Sequence, residues 1–239
     1  MSATTSSATA EKNIVVYNSA ISPFGHRVLM ALKLVGAKYE LVTINMQERD
    51  EYRKINPEGK VPAVKYGEAL IPESMVIIEL LHELYPEARL FTTDPVKNAK
   101  MRFVIRLFED QILPAYGQLF GNPPVTKERL DSALEIIHKF YKRLNELLLE
   151  QSPSGPYFLG TEYSSVDIAL TPFISTMGTF TKFLTGQDLT VLNELPRLRD
   201  YLSAVVEHPV SKETTFLDDE DKVNAVVTEH FKVTKNMFT

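Results

Sequence analysis

Near its start the chain runs strand, helix, strand within about thirty residues, and this limits the fold more than any other feature of it. Residues 13–18, Asn-Ile-Val-Val-Tyr-Asn, are a short β-branched run that reads as a buried strand. Ser22-Pro23 then opens a helix, with Ser22 at the N-cap and Pro23 at the first helical position. Phe24, Val28, Leu29, Leu32 and Val35 recur at three- and four-residue spacing, and Gly36 stops the helix. Residues 39–44 form a second strand. So short a βαβ unit makes its two strands parallel. A helical segment near 51–55 ends at Asn56-Pro57. The chain then turns through Gly59-Lys60-Val61-Pro62 into a strand at 63–65 and reverses at Tyr66-Gly67-Glu68 into another at 69–71. Glu73-Ser74 opens a helix through Leu84. The order βαβ, then ββα, predicts a four-stranded mixed sheet with helices on its faces.

After Asp94-Pro95 the only periodicity is helical. The spacing predicts a long helix over 95–120 with a kink at Pro114, a break at 121–124 and a second helix over 127–150. Ser164-x-x-Asp167 is a capping box that opens an apolar helix. Pro196 starts another helix, which ends before His208-Pro209, and a short helix near 222–233 follows the acidic stretch at 218–221. The expected organisation is a disordered tail at 1–12, an α/β domain at 13–88, a linker at 89–96 and an all-helical domain at 97–239.

Composition removes several function classes. With 26 Lys and Arg against 31 Asp and Glu, the net charge is −5, and no basic run stands out. A nucleic acid or an anionic membrane needs a concentrated basic face, so neither is expected as a partner. The chain has no cysteine, which excludes a disulfide, a protein thiol nucleophile and a thiolate metal site. Any thiol chemistry must arrive with the substrate. The five histidines stand far apart, without metal-ligand spacing, and no metal is expected. The first twelve residues are neither a signal nor a transit peptide, and no run approaches ~18 apolar residues, so the expected location is cytoplasmic.

Ser22 is explained by helix capping alone, but its hydroxyl also sits at the positive end of a helix beside a parallel strand's C-terminal edge. Open α/β sheets place ligands there, and helix N-termini favour anions, thiolates included. Val61-Pro62 reads either as a strand that starts with proline or as a cis bond whose Val61 backbone pairs with a peptide-like ligand. Glu73-Ser74 is either another cap or a carboxylate-binding helix terminus with Glu73 placed for an ammonium. Arg49 and Lys60 are solvated charges or, at the same edge, partners for a second carboxylate.

Taken together and in order, Ser22-Pro23-Phe24, Asn56-Pro57-Glu58-Gly59-Lys60-Val61-Pro62, Glu73-Ser74 and Ser164-x-x-Asp167 resemble the cytosolic glutathione transferases over nearly the whole chain. The Ser-Pro-Phe form is most similar to the omega-like class, in particular its serine-bearing fungal members. The resemblance implies a thioredoxin-like first domain, a helical second domain, a homodimer and a cis bond before Pro62. It implies glutathione as co-substrate, bound by Phe24, Arg49, Lys60, Val61, Glu73 and Ser74, with its sulfur at Ser22. Ser164 and Asp167 match the family's folding-related cap. Omega-type proteins usually carry cysteine at the position of Ser22, so thiol-transferase and dehydroascorbate reductase activity are not expected. A serine can instead hydrogen-bond the thiolate, which then attacks an electrophile or a peroxide. The alternative is a ligandin that stores aromatic or phenolic molecules. In either case a hydrophobic site is expected between the domains, with Tyr116, Phe120, Phe173 and Met177 as candidate liners, any one of which reads alternatively as helix-bundle core. Tyr17 is a rival for the hydroxyl role, placed in the first strand, and His26 reads as a surface or packing residue.

Overall fold

The structure, a computed structural model, describes residues 13–120, 125–186 and 189–215, with 221, 223, 228, 237 and 238 beyond them. The tail at 1–12, the break at 121–124, the side chain of Phe120 and most of the helix expected near 222–233 lie outside the described residues.

The first part is β1 (Ile14–Asn18), α1 (Pro23–Leu34), β2 (Glu40–Thr43), α2 (Arg49–Tyr52), β3 (Ala63–Tyr66), β4 (Ala69–Pro72) and α3 (Ser74–Leu84). The sheet order is β2-β1-β3-β4. β1 runs parallel to β2, with Val16 opposite Leu41, and antiparallel to β3, with Val16 opposite Val64. β3 and β4 close an antiparallel hairpin. This is the predicted thioredoxin-like arrangement. Ile14 and Val16 point into the core that α1 and α3 cover with Val28, Leu32, Ile77 and Leu81. One boundary differs from expectation. The helix anticipated at 51–55 begins earlier, as a 3-10 turn at Met46–Glu48 that runs into α2.

The second part is α4 (Pro95–Phe120), α5 (Lys127–Gln151), α6 (Ser165–Thr185), a 3-10 turn at Thr190–Glu194, α7 (Pro196–Glu207) and α8 (Pro209–Thr214). α6 is the hub. It is buried along most of its length and packs against α1, α4 and α7. The capping box forms as expected. Asp167 accepts from the backbone N–H and the hydroxyl of Ser164, and its other oxygen accepts from Phe158 N–H. α8 is an element that sequence reasoning took for a stop. His208-Pro209 ends α7, but proline also suits the first position of a helix, and the His208 ring accepts from Val210 N–H at 3.2 Å.

Candidate functional site

A cavity of about 390 Å3 opens where β3, α3 and the loops around them face α4. Phe24, Arg49, Lys60, Val61, Glu73 and Ser74 all line it, so residues 50 positions apart in the chain meet at one place. Met46, Glu58, Pro62, Pro72 and Leu113 complete the lining. Two cations and two carboxylates thus surround one space, which suits a zwitterion with more than one charged end.

Local structure explains each position. The loop before β3 is tied by Tyr52 and Asn56, which donate to the Lys60 carbonyl at 3.0 and 2.8 Å. Gly59 takes a left-handed φ of 61°, and a side chain there would press on Arg49 and Arg53. The Val61-Pro62 bond is cis, and the β3 ladder starts only at Ala63. Glu73 holds φ at 70°, a conformation that costs a non-glycine residue of order 1–3 kcal/mol and clusters at functional sites. Ser74 follows as the first residue of α3, so the helix's unpaired N–H groups begin beside the cavity.

Ser22 caps α1. Its oxygen accepts from Gly25 N–H at 3.1 Å, and it is half-buried, two residues before Phe24. Gly25 is required by close approach, because a Cβ there would overlap the buried Asn18 side chain. Ser22 itself is not among the residues that line the cavity. Tyr17 is half-buried with its ring 6.1 Å from that of Tyr52. His26 is a packing residue, buried against α8, where its Nε2 meets the Thr214 hydroxyl at 2.8 Å.

The hydrophobic-site candidates divide. Phe173 and Met177 have no exposed surface and belong to the core, so they offer a ligand nothing to touch. Phe173 acts from behind: its ring packs edge-on against Phe24 at 4.9 Å and against Tyr116 at 5.2 Å. Tyr116 is half-buried, and burial pushes its phenol up. From the helical domain it is Leu113, one turn before Tyr116, that lines the cavity.

Sequence reasoning missed Arg27. It is fully buried where α1 packs on α3 and α6, and α4 reaches it through Glu109. Its Nε donates to Ala169 O at 2.8 Å, and Nη1 donates to Glu109 Oε1 at 2.9 Å and to Ser74 Oγ at 3.2 Å. The rings of Phe24, Phe108 and Phe173 surround the guanidinium at 5.5, 5.9 and 4.7 Å. Burial lowers its pKa to about 10, against the pull of Glu109, so it stays charged at neutral pH. Because Ser74 Oγ accepts from Arg27, its own hydrogen can be given to a ligand. No signal within α1 announces this residue, since its partners lie 47 to 142 positions away.

Among the described residues, no group of three or more potential ligands could hold a metal, and no helix is long and apolar enough to cross a membrane. Comparison with known proteins agrees with the fold. Residues 16–89 match the family described as "Glutathione S-transferase, N-terminal domain", and residues 128–214 match "Glutathione S-transferase, C-terminal domain". The rat protein "Glutathione S-transferase omega-1" is 28% identical over 210 residues, covering 87% of this chain and 82% of the relative. The mouse "Maleylacetoacetate isomerase" is 31% identical over 167 residues, covering 67% of this chain and 76% of the relative. The solved structure of glutathione transferase Omega 1C from Trametes versicolor superimposes with a TM-score of 0.73 at 23% identity, covering 92% of this chain and 97% of that one.

Proposed function

The chain belongs to the glutathione transferase superfamily, and from that premise we propose that it binds glutathione in the interdomain cavity and activates the thiol through Ser22 for attack on electrophiles or peroxides. The observation that carries this reading is that Phe24, Arg49, Lys60, Val61, Glu73 and Ser74 line one cavity. Glutathione has two carboxylates and one ammonium. Arg49 or Lys60 pairs with the glycyl carboxylate, and the Val61 backbone pairs with the middle amide. Ser74 and the first turn of α3 take the γ-glutamyl carboxylate, with Glu73 at the ammonium and the charge of Arg27 behind the serine.

Ser22 supplies the chemistry. A hydrogen bond to a charged acceptor is worth about 1.5–3 kcal/mol. At ~1.36 kcal/mol per pKa unit, that lowers the bound thiol by about one to two units. From a starting value near ~8.5, the thiolate fraction at neutral pH rises from roughly 3% to above about 20%. The positive end of α1 adds to the effect. The thiolate then attacks an electrophilic carbon and expels its leaving group, or attacks a peroxide oxygen and breaks the O–O bond to give the sulfenic acid and an alcohol. With a peroxide, a second glutathione then condenses with the sulfenic acid to give the disulfide and water. Ser22 forms no covalent intermediate in either case. The exposed apolar side chains of Val76, Val96 and Phe103 on α3 and α4 support assembly of two copies, which light scattering tests.

Calorimetric titration with glutathione should register binding, and the protein should consume a chlorinated nitrobenzene or an organic hydroperoxide only when glutathione is present. Absence of any binding heat, together with no glutathione-dependent turnover, sinks the reading. Binding of aromatic molecules without consumption of glutathione would favour storage over catalysis. Thiol-transferase activity should be close to zero and should appear in Ser22→Cys, because only a thiol can exchange with a disulfide.

A further inference from the structure

The chain has no cysteine, so methionine supplies all of its sulfur, and the methionines differ in placement. Met30, Met101 and Met177 have no exposed surface. Met75 is half-buried and packs on the hydrophobic core. Met237 is exposed, and Met1 lies outside the described residues. Met46 is unlike all of these. It is half-buried, it is not one of the described side chains that pack on the core, and it lines the interdomain cavity. No other methionine among the described residues lines that cavity.

The cavity selects what reaches this sulfur. Phe24, Val61, Pro62, Pro72 and Leu113 give it an apolar wall, which draws in an organic hydroperoxide more strongly than hydrogen peroxide. A thioether is soft and polarizable, and peroxide oxygen oxidises it. The sulfur gives a lone pair to the terminal oxygen, the O–O bond breaks, and the proton on that oxygen passes to the departing alkoxide. The products are methionine sulfoxide and an alcohol. The electron pair that the sulfur loses is the one that reduces the peroxide, so no further reactant is needed.

Position in the chain gives this change a consequence. Met46 opens the 3-10 turn Met46–Glu48, and Arg49 follows as the first residue of α2. Oxidation converts a flexible apolar side chain into a polar one. The sulfoxide oxygen seeks water or a donor, which draws the turn off the apolar wall and Arg49 with it. We propose that Met46 is an oxidative modification site for organic hydroperoxides, and that its sulfoxide weakens the hold on glutathione. The second half rests on the glutathione reading above, and the first half does not. Bound glutathione covers the wall and offers the peroxide a better nucleophile, so Met46 is oxidised when glutathione runs out.

The test treats the full-length protein, free of glutathione, with limiting cumene hydroperoxide or with hydrogen peroxide. Peptide mass spectrometry reads the oxygen gained at each methionine. With cumene hydroperoxide, Met46 should oxidise roughly fivefold or more faster than Met75 and the fully buried Met30, Met101 and Met177. The ratio of Met46 to Met237 oxidation should be about threefold or more higher with cumene hydroperoxide than with hydrogen peroxide. Equal rates at Met46 and Met75, or the same Met46 to Met237 ratio with both oxidants, overturns the site. Calorimetry then compares glutathione affinity before and after treatment. The parent should lose about threefold or more, and Met46→Leu should lose nothing relative to its own untreated value. A parent that carries oxidised Met46 and keeps its affinity overturns the consequence, and so does a Met46→Leu that loses as much as the parent. If the untreated protein binds no glutathione at all, the transferase reading and the consequence fall together, and the ranking of the methionines still decides the site.

Discussion

Ser22 and Ser164 both open helices, and in sequence they look alike. In the fold they part. Ser164 is buried, and its N–H and hydroxyl both donate to Asp167 Oδ2, at 2.7 and 2.8 Å. Ser22 is half-buried, and its oxygen accepts from Gly25 N–H. No acceptor among the described residues takes the Ser22 hydrogen. A cap whose hydrogen is already committed is a joint of the structure. A cap that keeps its hydrogen, two residues from a cavity wall, can give it to a ligand.

The largest effect expected is at the buried joint. Asp167→Ala leaves the N–H groups of Phe158 and Ser164 and the Ser164 hydroxyl without their acceptor. Each buried donor left unsatisfied costs about 1–3 kcal/mol, so denaturant unfolding should register a loss of roughly 3–5 kcal/mol after partial relaxation. The fraction that still folds should keep its turnover rate. A loss below about 1 kcal/mol would mean that Ser164 is no more committed than Ser22.

Next in size is a pair of opposed pH effects. Burial raises the Asp167 carboxyl to about 6, despite the bonds from Phe158 and Ser164, and burial lowers His26, in the first turn after Ser22, to about 4. The raised carboxyl favours the protonated fold, so its contribution is complete below about pH 4 and lost as pH rises through about 6. The lowered imidazole favours the neutral fold, so its contribution is complete above about pH 6.5 and lost as pH falls toward about 4. Each spans about two units, on the order of 3 kcal/mol, and between pH 4 and 6.5 they oppose. Melting midpoints from about pH 4.5 to 7.5 should therefore show His26→Asn gaining on the parent as pH falls and Asp167→Asn losing on it. Profiles parallel to the parent's would remove both residues from the account.

Much of this fold was legible because its signals are local. The strands at β1 and β3, the caps at Ser22, Glu73 and Ser164, and the turn before β3 are each set by residues within a few positions. The set Phe24, Arg49, Lys60, Val61, Glu73 and Ser74 came instead from the family resemblance, and one cavity gathers it from stretches up to 50 positions apart. What escaped depends on distance in the chain. Arg27 is a routine helical arginine until Ser74, Glu109 and Ala169 surround it. Leu113 reaches the cavity only because α4 packs beside the sheet domain. Phe173 and Met177 read equally as liners or as helix-bundle core, and α6 is buried on so many sides that they are core. α8 was missed because His208-Pro209 ends one helix and starts another in a single step.

Smallest in stability, and sharpest for the comparison of the two serines, is Ser22→Ala. Loss of an N-cap oxygen costs about 1 kcal/mol, since one first-turn N–H loses its partner and water can replace it at a half-buried site. If capping were the whole role of Ser22, the rate per folded molecule would hold, and the pH–rate profile would stay in place. If the hydrogen is given to the glutathione sulfur, the bound thiol's pKa rises by about one to two units, and turnover at neutral pH falls by roughly tenfold or more. That loss should shrink as pH rises through the new pKa, because the thiolate then forms without help. Ser22→Thr keeps both the cap and the donor and should restore most of the rate. A profile that does not move in Ser22→Ala, at any rate, would place Ser22 with Ser164 as a joint and nothing more.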